Sequence, residues 1–165
     1  MRFLSYPPIY FLMDKTNKIT ITCLDWDTRV DVSQAVADLL HINMLDLDDY
    51  IIRGSVLNGD LDEFSKEKFI EKYGQGVFDT LEGIAYLAYV ETVDAPFVIS
   101  IGNDRNKANT NLFGKTISVN VRLDDTRSLS STIADYSVKK SKSVKTTAKQ
   151  IAKIITSDER WSRDL

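Results

Sequence analysis

Two short stretches hold the residues best placed to do chemistry. Asp46 and Asp48 stand in Asp46-Leu47-Asp48-Asp49, directly after a short apolar segment (41–47). An apolar strand followed by acids is a common way to present carboxylates at the carboxyl edge of a parallel sheet. There they could hold a ligand, or form a solvated acidic turn that opens a helix at Tyr50 with Asp49 as cap. The second stretch is Asp25-Trp26-Asp27-Thr28-Arg29, between an apolar run and a helical pattern. A strand, turn and helix is where nucleotide-binding proteins place their phosphate loop. Such a loop turns backbone N–H groups inward, which glycine permits cheaply. This turn has no glycine, the first in the chain being Gly54, and its two carboxylates would repel a triphosphate. The turn either forms a new polar pocket, with Trp26 as a stacking face and Asp25 and Asp27 as hydroxyl acceptors, or is a degenerate turn that Trp26 covers. Two carboxylates on one loop are few for calcium.

Other reactive residues are sparse. Cys23 is the one cysteine and His41 the one histidine, so neither a disulfide within the chain nor a Cys/His metal centre is expected. Cys23 reads as a small core residue and His41 as a structural residue at a helix end. Gly114-Lys115-Thr116 looks like the end of a phosphate loop, but Asn109 replaces the required glycine and a strand pattern follows. Lys139, Lys140, Lys142, Lys145, Lys149 and Lys153 form a basic cluster at and along the last helix. It reads as a solvated face, or as a contact for RNA, an anionic membrane or an acidic partner.

The elements that must position these residues follow from periodicity. Ile19 to Leu24 reads as a buried strand, and Val32, Val36, Leu39 and Leu40 mark one face of the helix after it. Tyr50 to Arg53 starts a helix that Gly54 should break, leaving 55–65 as a loop. Lys66 to Tyr73 and Val77 to Val90 have helical spacing, interrupted by Gly74-Gln75-Gly76. Ala95 to Ile101 is a nearly continuous apolar run, and Thr116 to Leu123 alternates as a strand does. Residues 107–113 are polar and weakly helical, and Ile133 to Val138 is a further strand candidate. A last helix starts at the N-cap Ser143 with Val144, Ala148, Ile151, Ala152 and Ile155 as its stripe. Strands alternating with helices imply a three-layer α/β sandwich around a parallel sheet of about five strands.

The chain has 165 residues, 43% of them hydrophobic and 27% charged, with a net charge of −3. That suits one soluble globular domain without a global basic field. No apolar run approaches the roughly 20 residues of a membrane-spanning helix. Residues 1–17 read as an N-terminal extension that packs on the domain or a partner, 18–156 as the domain and 157–165 as an exposed tail. A single cysteine suits a reducing, intracellular compartment.

The order of motifs resembles shikimate kinase, a P-loop kinase of the nucleoside-monophosphate-kinase type. The matching stretches are Asp46-Leu47-Asp48, Gly74 to Glu82 with Phe78, Val98 to Gly102, and Leu129 to Tyr136. The resemblance covers roughly residues 18 to 156. The resemblance implies that Asp46 lies near the metal and that Asp48 holds ring hydroxyls. It also places Phe78 and Gly102 at the substrate. The departures fall on the chemistry. Residues 23–29 replace the glycine loop, Arg29 stands at the lysine position and Val30 where a magnesium-binding hydroxyl would be. Asp79 replaces the arginine after Phe78, and Asn103 and Asp104 replace two glycines. The lid is nearly absent, and Thr126 takes a substrate arginine's place, with Arg127 one residue away. Phosphoryl transfer depends on positioning and on charge neutralisation across phosphates and metal. The expectation is a pseudokinase: a non-catalytic binding or regulatory module, or a part of a larger assembly, needing no cofactor and having a protein partner. The alternative is a divergent small-molecule kinase using Mg-ATP, with Arg29 and Asp48 in the active roles. A third reading is an RNA- or ribosome-associated protein that binds through Lys145, Lys149 and Lys153.

Overall fold

The computed structural model describes residues 15–102, 115–125 and 133–165. The expectations at 107–113, Asn103, Asp104, Thr126, Arg127 and 129–132, and for residues 1–14 of the extension, lie outside them.

The described residues form β1 (Lys18–Cys23), α1 (Trp26–Leu40), β2 (Asn43–Asp46), α2 (Leu47–Leu57), α3 (Lys66–Tyr73) and α4 (Gln75–Glu91). β3 (Phe97–Gly102), β4 (Ile117–Arg122), β5 (Tyr136–Lys139) and α5 (Val144–Ser157) follow. The sheet order is β2-β3-β1-β4-β5 and every pair is parallel. The chain thus leaves β1 for the β2 edge, returns to β3 beside β1, then crosses to β4. That reversal opens a crevice at the carboxyl ends of β1 and β3, the usual ligand position in open α/β sheets.

Side-chain alternation along the strands divides the core. Ile19, Ile21 and Cys23 of β1 join Val119 and Val121 of β4 against Val32 and Val36 of α1 and Ala148, Ile151 and Ile155 of α5. Ile99 and Ile101 of β3 face the other way, onto Leu47 of α2 and Ala85 and Tyr86 of α4. Ile51, Ile52, Phe69 and Phe78 tie α2, α3 and α4 into a third cluster. The polar residues of β1 are buried as well. Thr20 Oγ1 lies 2.6 Å from Tyr86 Oη and 2.8 Å from Thr116 Oγ1, and Asn120 donates to Thr22 Oγ1 at 2.8 Å. Such bonding offsets the cost of burying polar groups. Burial also raises the Tyr86 hydroxyl pKa to about 12.

Four expectations need correction. Gly54 does not end α2, which continues to Leu57. A mid-helix glycine costs only about 0.5–1 kcal/mol, and the buried Ile51 and Ile52 anchor the helix regardless. Gly74 alone, at φ 92°, separates α3 from α4, so Gln75 and Gly76 are helical. The last strand starts at Tyr136 rather than Ile133, because only 136–139 pair with β4. The segment after α5 is not wholly an exposed tail. Trp161 bridges to Thr16 and packs on the core, and Arg160 donates to Asp158 and pairs with Asp135. Residues 163–165 are exposed. Among the described residues, no helix is long and apolar enough to cross a membrane.

Candidate functional site

The site grows from one register match. Asp46, the last residue of β2, lies beside Ser100 of β3, and Ser100 Oγ donates to Asp46 Oδ1 at 2.6 Å. Asp46 is also the N-cap of α2, accepting the Asp49 N–H at 3.0 Å. Capping places Asp48 in the first turn of α2, almost fully buried. Arg29, in the second turn of α1 and 3% exposed, reaches across to both acids. Its Nη2 donates to Asp46 Oδ1 at 2.9 Å and lies 3.2 Å from Asp48 Oδ2, while Nε donates to Ser100 Oγ at 2.7 Å. Trp26 Nε1 donates to Asp46 Oδ2 at 3.0 Å.

Lys66, the first residue of α3, completes the cluster. Its Nζ donates to Asp48 Oδ2 at 2.6 Å, 4.6 Å from the Phe78 ring centre and 5.8 Å from that of Trp26. Two cations and two carboxylates balance formally, in a setting where an unpaired charge would be costly. Burial pushes the Asp48 carboxyl up, but Arg29 and Lys66 outweigh it and hold the group below the usual carboxylate range. Burial works against the Arg29 charge too, and Asp48 and Asp46 more than compensate. Asp46 has two donors on each oxygen. Asp48 Oδ1 is buried without a hydrogen-bond partner.

Asp48, Arg29, Lys66 and Trp26 line a cavity of about 430 Å³ with Cys23, Gln75 and Gly102. This is the crevice between β1 and β3. Burial raises the pKa of the Cys23 thiol at its edge. Gly102, at the end of β3, lines it as well. Phe78 does not line the cavity, being fully buried behind Lys66. The 25–29 turn splits in role. Asp25 caps α1, its Oδ2 accepting the Thr28 N–H at 2.9 Å, and the Thr28 hydroxyl together with that N–H holds its pKa below the usual carboxylate range. Asp27 is exposed, Thr28 is buried, and Trp26 and Arg29 turn into the acidic pair.

Lys66 and Ser100 escaped the sequence reading. Ser100 had a signal, as a polar residue inside the apolar run 95–101. Lys66 had a weaker one: a cation in the first turn of a helix opposes the helix dipole and calls for a local acid. Lys145, Lys149 and Lys153 lie exposed along α5. His41 ends α1 in the left-handed conformation at φ 55°, its N–H bonded to Ala37 and Asp38 carbonyls, which is a structural role. Among the described residues, no group of three or more His, Cys, Asp or Glu side chains could hold a metal ion.

No family model matches this sequence, and no curated protein matches it by sequence. Solved structures do match. Shikimate kinase from Acinetobacter baumannii in complex with shikimate aligns with TM-score 0.67 at 16% identity, over 91% of this chain and 98% of that one. Shikimate kinase from Aquifex aeolicus aligns with TM-score 0.61 at 19% identity, over 81% and 93%. The enzyme from Bacteroides thetaiotaomicron gives 0.63 at 14%, over 84% and 98%. This chain has the shikimate kinase fold. At such identities the likeness concerns the scaffold, and function must be argued from the site. On the shikimate kinase scaffold, the crevice at β1 and β3 carries a charge cluster closed on itself, with one open acceptor at Asp48.

Proposed function

We propose that this chain is a non-catalytic, shikimate-kinase-like domain that acts as a binding or regulatory module within a larger assembly. The observation that carries this reading is the self-capped start of α1. Asp25 takes the Thr28 N–H, so a carboxylate of the chain itself sits where a helix N-terminus would receive phosphate. Arg29, the cation nearest that position in sequence, is committed to Asp46, Asp48 and Ser100. A triphosphate with its magnesium does not fit these residues: Asp25 repels it, Arg29 is spoken for, and both Asp46 oxygens already carry two donors. Loss of the nucleotide site leaves the scaffold free for protein contacts, and a protein partner is part of this reading.

One observation favours the second reading, a divergent small-molecule kinase. Asp48 Oδ1 is free to accept a hydroxyl hydrogen beside the 430 Å³ cavity. Arg29 could then serve phosphate only by leaving both acids, exposing two buried carboxylates to each other.

Thermal-shift titration with Mg-ATP, Mg-ADP and shikimate, singly and together, separates the two. A ligand at 100 times its dissociation constant adds about 2.7 kcal/mol of stability. The non-catalytic reading expects no shift at millimolar nucleotide. A nucleotide-dependent shift, with turnover lost in Asp48→Ala, would establish the kinase reading instead.

A further inference from the structure

Helix α4 is apolar on two sides. Its inward face buries Phe78, Ala85 and Tyr86 in the core. Its outward face repeats Leu81, Ile84, Ala88 and Tyr89 at spacings of three and four, along a groove of about 1070 Å³ shared with α2. A helix apolar nearly all round is ordinarily covered on both sides. Leu57 (80% exposed), Ile84 (62%) and Tyr50 stand open in this groove, and the Tyr50 ring meets Tyr89 edge-on at 6.1 Å. Between them lie small residues, Gly54 on α2 and Ala85 and Ala88 on α4, and an added Cβ at Gly54 would meet nothing within 4 Å. The groove is also acidic. Asp27 and Asp31 from α1, Asp49 from α2 and Asp60 beyond it line the groove, where Arg53 is the single lining cation and is held by Asp49. Among the described residues, Asp27, Asp31 and Asp60 have no ion-pair partner, so their field is open to whatever enters.

We propose that the groove receives a cationic amphipathic helix of a partner protein, laid across α2 and α4. Charge complementarity sets the first half of this description: an occupant bearing Lys or Arg on its flanks pairs with Asp27, Asp31 and Asp60. The exposed Leu57, Ile84 and Tyr50 set the second, since they need apolar side chains to leave water. Two helices form the walls, and small residues between them let a third helix approach closely, with its ridges in the groove they leave. Leu81 to Tyr89 spans about 12 Å at 1.5 Å per residue, so the buried contact takes about two turns. A second copy of this chain fits poorly. Its cations Lys145, Lys149 and Lys153 lie exposed on α5, but the apolar stripe of that helix, Ala148, Ile151 and Ile155, is buried in its own core. Two grooves placed face to face would oppose like charges. This inference rests on the binding-module reading in expecting a protein partner, and it names that partner's chemistry. Nucleotide titration reads the crevice and peptide titration the groove, so either can fail without the other.

Fluorescence anisotropy on the full chain tests it with labelled synthetic peptides. The probe is a Leu/Lys peptide of about 14 residues, with leucines at i, i+3, i+4 and i+7. It should bind about tenfold or more tightly than a Leu/Glu peptide of the same pattern, and than a strictly alternating Leu/Lys peptide suited to a strand. Ile84→Asp should weaken it about tenfold, as should Asp31→Lys with Asp60→Lys, all at exposed positions. That double reversal should also turn the preference towards the Leu/Glu peptide. Reversing two exposed acids outside the groove, Glu63→Lys with Glu71→Lys, should change the affinity by less than about twofold. Absence of saturable Leu/Lys binding would overturn the proposal, as would equal binding of the acidic peptide or a preference for the alternating one. Binding that survives both groove variants, or that falls as far with Glu63 and Glu71 reversed, would overturn it too. So would a peptide-free dimer that Ile84→Asp dissolves, which would assign the groove to a second copy.

Discussion

Replacing Arg29 by methionine tests how the crevice is held together. The guanidinium is 3% exposed and bridges Asp46, Asp48 and Ser100. Its removal leaves two carboxylates in a buried setting with one cation, Lys66, which pairs with Asp48. Removing one partner of a buried pair typically costs about 3–5 kcal/mol. The lower end applies here, because Lys66 still neutralises Asp48 and Asp46 keeps donors from Trp26, Asp49 and Ser100. A loss of about 3 kcal/mol lowers Tm by roughly 10 °C in a chain of this size. Urea denaturation at pH 7 measures the loss directly. The gap between the parent and Arg29→Met should narrow as pH falls below the ordinary carboxylate range, since protonation relieves the stranded acids. Arg29→Lys should fall between the two, because an ammonium restores the charge without the fork that reaches Ser100 and both acids at once. A loss under about 1 kcal/mol for Arg29→Met, or one independent of pH, would refute the cluster as a mutually dependent unit.

Other consequences are simpler to test. The lowered native pKa of Asp48 means the unfolded chain binds protons first on acidification. Its contribution is therefore complete above the unfolded carboxylate range and is lost as pH falls towards the native value. Asp48→Asn should flatten that part of the urea-midpoint profile against pH. Gly54→Ala should stabilise by about 0.5–1 kcal/mol, because the position is helical and an added Cβ meets nothing within 4 Å. A destabilisation on denaturant titration would mean that α2 does end at that residue. Trp161→Ala should cost about 1–2 kcal/mol, since the half-buried ring packs on the core beside the Thr16 bridge. An unchanged Tm would restore the exposed tail.

The sequence was legible where structure is local. The β-branched runs at 19–23, 97–101 and 117–121 became the three central strands, and Ser143 caps α5 by accepting the Thr146 N–H as its type suggests. Gly54 misled because propensity is a weak prior against buried Ile51 and Ile52. In the site, Asp46, Asp48 and Gly102 could be placed because they end strands or open a helix. The partnership of Arg29 could not be, because it depends on contacts 17, 19 and 71 residues away that only the sheet order creates. Lys66 was hidden for the same reason: its partner Asp48 is 18 residues distant, and lysine in a polar stretch ordinarily marks solvent. The end of 157–165 was misread because polar residues surround Trp161, while its docking comes from backbone pairing with Thr16.

The central claim, that the phosphate end of this shikimate kinase fold is closed by the chain's own side chains, has one direct test. Isothermal titration calorimetry of the full chain with Mg-ATP should register no binding up to millimolar nucleotide. Saturable binding in the micromolar range that disappears in Arg29→Met, measured at a temperature where that variant is folded, would contradict it and return Arg29 to the service of phosphate.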